Sequence, residues 1–431
     1  MAKWLKNLVI FGLSALPTAA ILGQAGAPGH ENWVATWATS QDMAPTVQER
    51  PVLPEGMKMP DFSKMPKRPS PNIPTSVENQ TLRMIVHTSI GGPRVRIELA
   101  NAFGKDVVSI GSAHVAVRTS GSTVQGGTDR PITFGGAGSV DVRPGVVLVS
   151  DPIDLDVEPM SDLAVSLFVV KAGGTPTNHT LGLHTSYIAN GDQTSSPTLT
   201  GATTTTAYMW LRSMDVAAPD SDFAIVCFGD SITDGFTTTI DKDQAWPTLL
   251  AKRLLEEKSA PGISVLNEGI SGNQVLRDGA GVSGLARFDR DVLTEPGVRW
   301  VILLEGINDI NIHGQITGQG AMVPEDLIRG YRQLIARAHM HHVKIAIATL
   351  TPDAGIWLAG PVGEATRQKV NQWIRTSGES DGVIDFDAAT RDQADPTHLK
   401  ADFDSSDHIH PNDPGNAAMA NAVPLRYFLS K

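Results

Sequence analysis

Two hydrophobic patterns divide the chain. Between residues 80 and 215 apolar positions come in short alternating runs, among them Leu82-Arg83-Met84-Ile85-Val86-His87, Arg94-Val95-Arg96-Ile97-Glu98-Leu99 and Leu163-Ala164-Val165-Ser166-Leu167-Phe168-Val169-Val170. Gly and Pro separate the runs, Thr and Ser are abundant, and helical periodicity is absent. Strand-length runs at this spacing predict a β-sandwich over 80–215. Thr198 to Thr206 reads as a polar edge or loop leading into Tyr208-Met209-Trp210. From Asp222 onward, compact apolar runs predict strands at 223–228, 262–266, 299–305, 343–349 and 383–386. Helical stripes fall between and after them: Trp246, Leu249, Leu250 and Leu254; Leu285, Phe288 and Val292; Leu327, Ile328, Tyr331, Leu334 and Ile335; Val370, Trp373 and Ile374; Met419, Val423 and Tyr427. Pro424 should kink or shorten the last helix. Strand-helix alternation predicts a parallel, doubly wound sheet with right-handed crossovers.

The N-terminal region has its own signals. Lys3 and Lys6 precede an apolar stretch from Leu8 to Leu22 that Pro17 interrupts, and Gly23, Ala25, Gly26 and Ala27 follow. This reads as a signal peptide over 1–25, with no membrane anchor left after cleavage, and so as a secreted or periplasmic protein. No cysteine lies near it, which excludes a lipid-anchored lipoprotein. Residues 26–79 then hold a strand-like run, Trp33 to Ser40, and an arm from Met43 to Pro74. Pro51, Pro54, Pro60, Pro66, Pro69, Pro71 and Pro74 forbid regular structure over much of that arm. It is either a surface arm crossing between domains or a lid over the active site. The β-region at 80–215 and an α/β domain at 216–431 complete the organisation.

Composition narrows the partners. A chain of 431 residues can bury two cores. A formal net charge of −11, with no basic cluster to offset it, excludes non-specific nucleic-acid binding. The single cysteine, Cys227, cannot form an intrachain disulfide and reads as a small core residue in the strand before the most informative motif.

That motif is Phe228-Gly229-Asp230-Ser231-Ile232-Thr233-Asp234-Gly235. Ser231 sits where a buried strand ends and a turn begins, the edge at which open α/β sheets bind ligands. A serine hydroxyl needs a base to become a nucleophile. Asp407-His408-Ile409-His410-Pro411 offers one near the other end of the chain. Asp407 and His410 are three residues apart, so one turn of loop can bring the carboxylate to the ring; His408, adjacent to Asp407, tends to point elsewhere. Acyl transfer also needs donors for a developing oxyanion. Two further strand ends supply candidates, Asn267-Glu268-Gly269-Ile270-Ser271-Gly272-Asn273 and Gly306-Ile307-Asn308-Asp309. Gly272 can offer an unobstructed N–H and Asn308 a side-chain amide, although both are also ordinary turn residues.

These four segments, in this order, resemble the signature blocks of the SGNH (GDSL) hydrolase family over roughly residues 220 to 431. The resemblance implies a flavodoxin-like three-layer α/β/α domain, preceded here by the β-sandwich. It implies Ser231 as nucleophile and the Asp407–His410 pair as the last block. It assigns the oxyanion hole to the Ser231 and Gly272 N–H groups and to Asn308. The activity implied is hydrolysis of a carboxylic ester through an acyl-serine. Because His410 can also activate the hydrolytic water, no metal and no other cofactor is expected. The Gly-x-Ser-x-Gly elbow of α/β-hydrolases is absent around Ser231. The added β-region and the form of the first motif look like arylesterase and acylhydrolase members associated with xylan degradation, which implies a small-molecule or polysaccharide ester as substrate. A lipase or lysophospholipase is the alternative enzyme. A non-catalytic carbohydrate-binding or adhesive module is the alternative outside enzymes.

Other residues are ambiguous. Arg277 and Trp357 could line a substrate cleft or be structural. His339, His341 and His342 cluster at a predicted helix end, where cations are favoured without a metal. Asp230 and Asp309 read as residues that fix their loops.

Overall fold

The strand Phe223–Gly229 is buried along its whole length. Ile263–Gly269 pairs with it on one side and Val298–Leu304 on the other, both parallel. Lys344–Ala348 and Gly382–Ile384 extend the sheet, again parallel. In chain order the strands lie 2-1-3-4-5. This is the flavodoxin-like order, in which the first strand marks the switch point where ligands are bound. The coordinates are a computed structural model that describes residues 31–42, 73–257, 262–316, 322–356 and 358–429.

Helices pack around this sheet in two groups. Trp246–Glu256 and Phe386–Thr390 both pack against Asp413–Ala422. Pro324–Met340 packs with Gly284–Phe288 and Pro361–Thr376, and the last also meets Ile307–Ile316. The stripes read from the sequence face inward: Trp246, Leu250 and Leu254 are buried, as are Leu327, Tyr331 and Leu334. The Leu285 stripe forms Gly284–Phe288 and then widens into a π-helix at Asp289–Leu293. Pro424 ends the last stripe as expected, and the chain resumes as Arg426–Leu429. Ile307–Ile316 carries no predicted stripe, because Asn308, Asp309 and Asn311 occupy its first turns.

The described residues of the first half form a two-stranded antiparallel sheet, Asn178–His179 with Tyr208–Met209, and two large antiparallel ones. One contains Trp33–Ala38, Leu211–Ala217 and Gly92–Ala100, with Val147–Val149 and Ile153–Val157 both paired to the last of these. The other runs Thr203–Thr205, Ser186–Asn190, Val77–His87, Asp162–Ala172, Val108–Ser120. Thr203–Thr205 is at the edge, where a polar run belongs. A single apolar cluster contains Val34, Leu82, Ile97 and Val165 from these sheets and Phe228, Leu303 and Ile347 from the parallel one.

Trp33–Ala38 therefore belongs with the β-region and not with a separate arm, its partner lying far along the chain at Leu211–Ala217. It also reaches the α/β part, where the Ala35 N–H donates to Pro296 O at 3.0 Å. The Ser89 hydroxyl donates to Val265 O at 2.7 Å, and Arg212 bridges Glu98 and Glu295 across the same seam. The described residues from Asn32 onward form one compact unit. The segment expected to be a signal peptide, 1–25, and residues 43–72 of the expected arm from Met43 to Pro74 lie outside the described residues. Among the described residues no helix is long and apolar enough to cross a membrane.

Candidate active site

Ser231 opens a four-residue helix, Ser231–Asp234, at the carboxyl end of the first parallel strand. The Asp230 carboxylate caps it by accepting the Ile232 N–H at 3.0 Å. Gly229 must be glycine: a Cβ there would lie 2.3 Å from Leu304 O and 2.4 Å from Thr233 Oγ1. The neighbouring strand thus runs hard against the turn and fixes where the serine emerges.

The Ser231 Oγ lies 2.8 Å from His410 Nε2, across 179 residues of chain. His410 Nδ1 lies 2.7 Å from Asp407 Oδ2. The other Asp407 oxygen accepts the His410 N–H at 2.9 Å and the Ile409 N–H at 3.2 Å. Burial would raise the Asp407 carboxyl, but the hydrogen bonds and charge of His410 hold it well below the usual carboxylate range. His408 turns away, with Nδ1 2.7 Å from Asp404 Oδ2. The Phe236 ring stands 4.4 Å from the His410 ring and limits its movement.

Two contacts bring the chain end to the serine. The Thr239 N–H and hydroxyl donate to Asp413 at 2.9 and 2.6 Å. Asn416 accepts the Trp246 N–H at 3.0 Å and donates to Pro411 O at 2.7 Å. The loop after the serine helix and the helix after His410 are thereby joined directly.

Asn273 organises the second and third loops. It accepts from Arg287 Nε at 2.8 Å, donates to Val282 O at 2.9 Å, and its carbonyl accepts from Asn308 Nδ2 at 3.0 Å. One amide proton of Asn308 is spent on that carbonyl and orients the group, leaving the second for another acceptor. Gly272, just before Asn273, has φ +80°, the left-handed conformation that favours glycine. Arg287 is wholly buried, donates to Gly229 O and Glu268 O at 2.8 Å each, and lies 3.8 Å over the Phe228 ring. Asp309 accepts the Val275 and Leu276 N–H groups at 2.8 and 3.0 Å, so it fixes the second loop from the third. Arg277 is half-buried, its charge felt by Asp309. Trp357 lies outside the described residues.

Asp234 and His179 hold tasks that no spacing in the sequence announces. Asp234 accepts the Ser271 N–H and hydroxyl at 2.9 and 2.8 Å, tying the serine helix to the second loop. His179, from the β-region, approaches Asp234 Oδ1 with Nε2 at 3.1 Å and Ser40 O with Nδ1 at 2.8 Å. Burial opposes a charged His179, but Asp234 and Asp42 raise it well above the ordinary imidazole range. Asp234 was visible as part of the first motif. His179 sits alone in sequence and carried no signal.

Buried acids beneath the site give a pH signature. Burial raises Asp230 to about 7 and Glu305 to about 8, and both Glu305 oxygens are buried without hydrogen-bond partners. An acid raised on folding adds stability below its unfolded pKa, and loses it as pH climbs through the folded value. Unfolding at about pH 5 and about pH 9 should therefore differ by a few kcal/mol, the protein being weaker in alkali. Glu305→Gln should flatten part of that decline in urea titrations. An unchanged decline would mean that Glu305 is ionised in the folded protein.

Residues 227–418 match the model of the GDSL-like Lipase/Acylhydrolase family. No curated protein matches the chain. Among solved structures, an aryl esterase of M. smegmatis is 19% identical, over 48% of this chain and 100% of that one, with a TM-score of 0.39. An acetyl xylan esterase of Geobacillus stearothermophilus is 22% identical, over 48% and 94%, with a TM-score of 0.37. A lipolytic protein of Desulfitobacterium hafniense is 20% identical, over 46% and 96%, with a TM-score of 0.36.

Proposed function

We propose, from the premise that residues 227–418 are a GDSL-like lipase/acylhydrolase domain and the protein a carboxylic ester hydrolase, that it releases short acyl groups such as acetate from carbohydrate or aryl esters. The observation that supports this most is the hydrogen-bonded series from Ser231 Oγ through His410 to Asp407, at 2.8 and 2.7 Å. In this reading His410 Nε2 takes the hydroxyl proton as Ser231 Oγ attacks the ester carbonyl. Asp407 stays ionised, holds the Nδ1–H tautomer and stabilises the imidazolium. The Ser231 and Gly272 N–H groups and the Asn308 amide receive the oxyanion. The tetrahedral adduct collapses with loss of the alcohol, which takes its proton from His410. Water, deprotonated by His410, then releases the acid from acyl-Ser231.

The short-acyl reading rests on what the motif loops leave for substrate. Ile232, Ile270 and Ile307 are all buried in the core. The remaining motif positions are largely Gly, Asn, Asp and Ser, which do not make an apolar trough for a long chain. Location outside the cytoplasm rests on the 1–25 segment alone. An acyl-length series of chromogenic esters, run beside acetylated xylan, tests the reading. kcat/KM should be highest for acetate and fall with chain length, with acetate released from the polysaccharide. A rise toward long chains would favour the lipase reading, and inertness toward every ester would favour a binding module.

Asn308→Ala should lower kcat by about 10²–10³ and leave KM nearly unchanged, because the donor meets charge that develops only in the transition state. Acyl-chain preference should survive. A rise in KM alone would make Asn308 a substrate-binding or loop residue.

A further inference from the structure

We propose that His87, Asp162, His184 and Asp243 form a site for one divalent transition-metal ion, zinc by its ligand set, that staples the β-region to the loop following the serine helix. One ligand atom from each residue lies within 4.8 Å of all the others. His87 Nδ1 is 2.7 Å from Asp162 Oδ1 and 3.8 Å from Asp243 Oδ1, and His184 Nε2 is 2.9 Å from Asp243 Oδ1. Tetrahedral zinc with N and O ligands at about 2.0–2.2 Å needs neighbouring ligand atoms roughly 3.3 Å apart. These three separations lie on both sides of that value, so the four side chains stand close to the arrangement a tetrahedral ion needs.

The four residues come from separate places. His87 and Asp162 face each other across the paired strands Val77–His87 and Asp162–Ala172. His184 precedes the strand Ser186–Asn190, and Asp243 precedes the helix Trp246–Glu256 of the α/β part. No local spacing announces such a set, which is why the sequence shows only the unrelated His339 cluster.

Charge and outer contacts agree with a cation. Two carboxylates with two neutral imidazoles carry the charge that a divalent ion cancels. The far nitrogen of each imidazole, His87 Nε2 and His184 Nδ1, is buried without a hydrogen-bond partner. His184 Nδ1 faces Asp241 Oδ1 at 3.7 Å, too far for a hydrogen bond but on the side from which carboxylates orient ligating histidines. Asp241 is itself held by the Thr185 N–H and hydroxyl at 2.7 Å each, and Asp162 Oδ2 accepts from Arg118 at 2.7 Å. A cavity of about 70 Å³ adjoins the cluster, lined by His87, His184 and Asp243 but by neither Ser231 nor His410. The ion is thus structural and takes no part in ester hydrolysis.

The full-length protein, stripped with a chelator, should be titrated with Zn²⁺ by calorimetry and with Co²⁺ by visible absorption. One Zn²⁺ should bind, the unfolding midpoint should rise by several degrees, and Co²⁺ should give the intense bands of a four-coordinate site. X-ray absorption at the zinc edge should find imidazole nitrogen among four N/O ligands, a result that needs no variant. Asp243→Asn and His87→Gln should each weaken Zn²⁺ binding by roughly 10²-fold or more, while His339→Gln, whose ring pairs with Asp381 at 2.7 Å, should not. Absence of saturable binding, or binding removed by His339→Gln and untouched by the other two, would overturn the proposal. The paired imidazoles would then be simple ion-pair partners of the aspartates. None of these readouts depends on hydrolysis, so the site and the esterase reading can fail separately.

Discussion

Ser231→Ala should reduce ester turnover by about 10⁴–10⁶ while the protein stays folded, the range seen when one member of an interdependent nucleophile–base system is removed. The loss is large because the hydroxyl that meets His410 Nε2, at 2.8 Å, is that of Ser231, and the helix carrying it is held from several sides. Asp230 caps that helix, Asp234 anchors it to Ser271, and Gly229 lets strand Val298–Leu304 press against its base. None of these supports uses the serine hydroxyl, so circular dichroism and the unfolding midpoint should barely change. Wild-type-like turnover by a folded Ser231→Ala protein would remove the assignment. Mass spectrometry of the wild-type enzyme quenched during turnover of a slow ester should find the acyl group on the peptide containing Ser231.

His410→Ala should cost nearly as much, and His408→Ala should only weaken activity. The two histidines are two residues apart, yet their surroundings differ. The His410 ring is mostly buried between Ser231, Asp407 and Phe236. The His408 ring is half exposed, and Asp404 holds it away from Ser231. Asp407→Asn should lower kcat by about 10⁴, because an amide no longer selects the tautomer that leaves Nε2 free to take a proton. The same exchange should reduce acid sensitivity of the fold. A carboxylate depressed on folding contributes stability above its unfolded pKa of about 4, and that contribution is lost as pH falls through the folded value. Should His408→Ala be the inactive variant, the base would be His408 and the loop geometry would have to rearrange on substrate binding.

His179 links these catalytic predictions to the architecture of the first half. It contacts the carboxylate of Asp234, which holds the second loop, and the backbone of Ser40 in the β-region. The β-region thus helps to position the loop that presents Gly272.

The sequence by itself determined the alternation of strands and helices in the second half, because a buried strand and an amphipathic helix each leave a local period. It determined the serine at a strand end and the three-residue offset of Asp407 and His410, since both are short-range. It placed Asn308 and Gly272 after successive strands, where a parallel sheet collects them at one edge. The tertiary structure decided which distant pieces meet. Trp33–Ala38 alternates like any strand, and only the sheet gives it Leu211–Ala217 as a partner. His408 and His410 were separated by the turn itself, which spends Asp404 on one and Asp407 on the other. The role of Asn273 as a junction, of His179 as a bridge and of Arg287 as a buried tie depended on side chains that close across 14 to 139 residues of chain. Periodicity reports which face of an element is buried. It cannot report what lies against that face, because pairing between elements is settled by packing and hydrogen bonding over the whole fold.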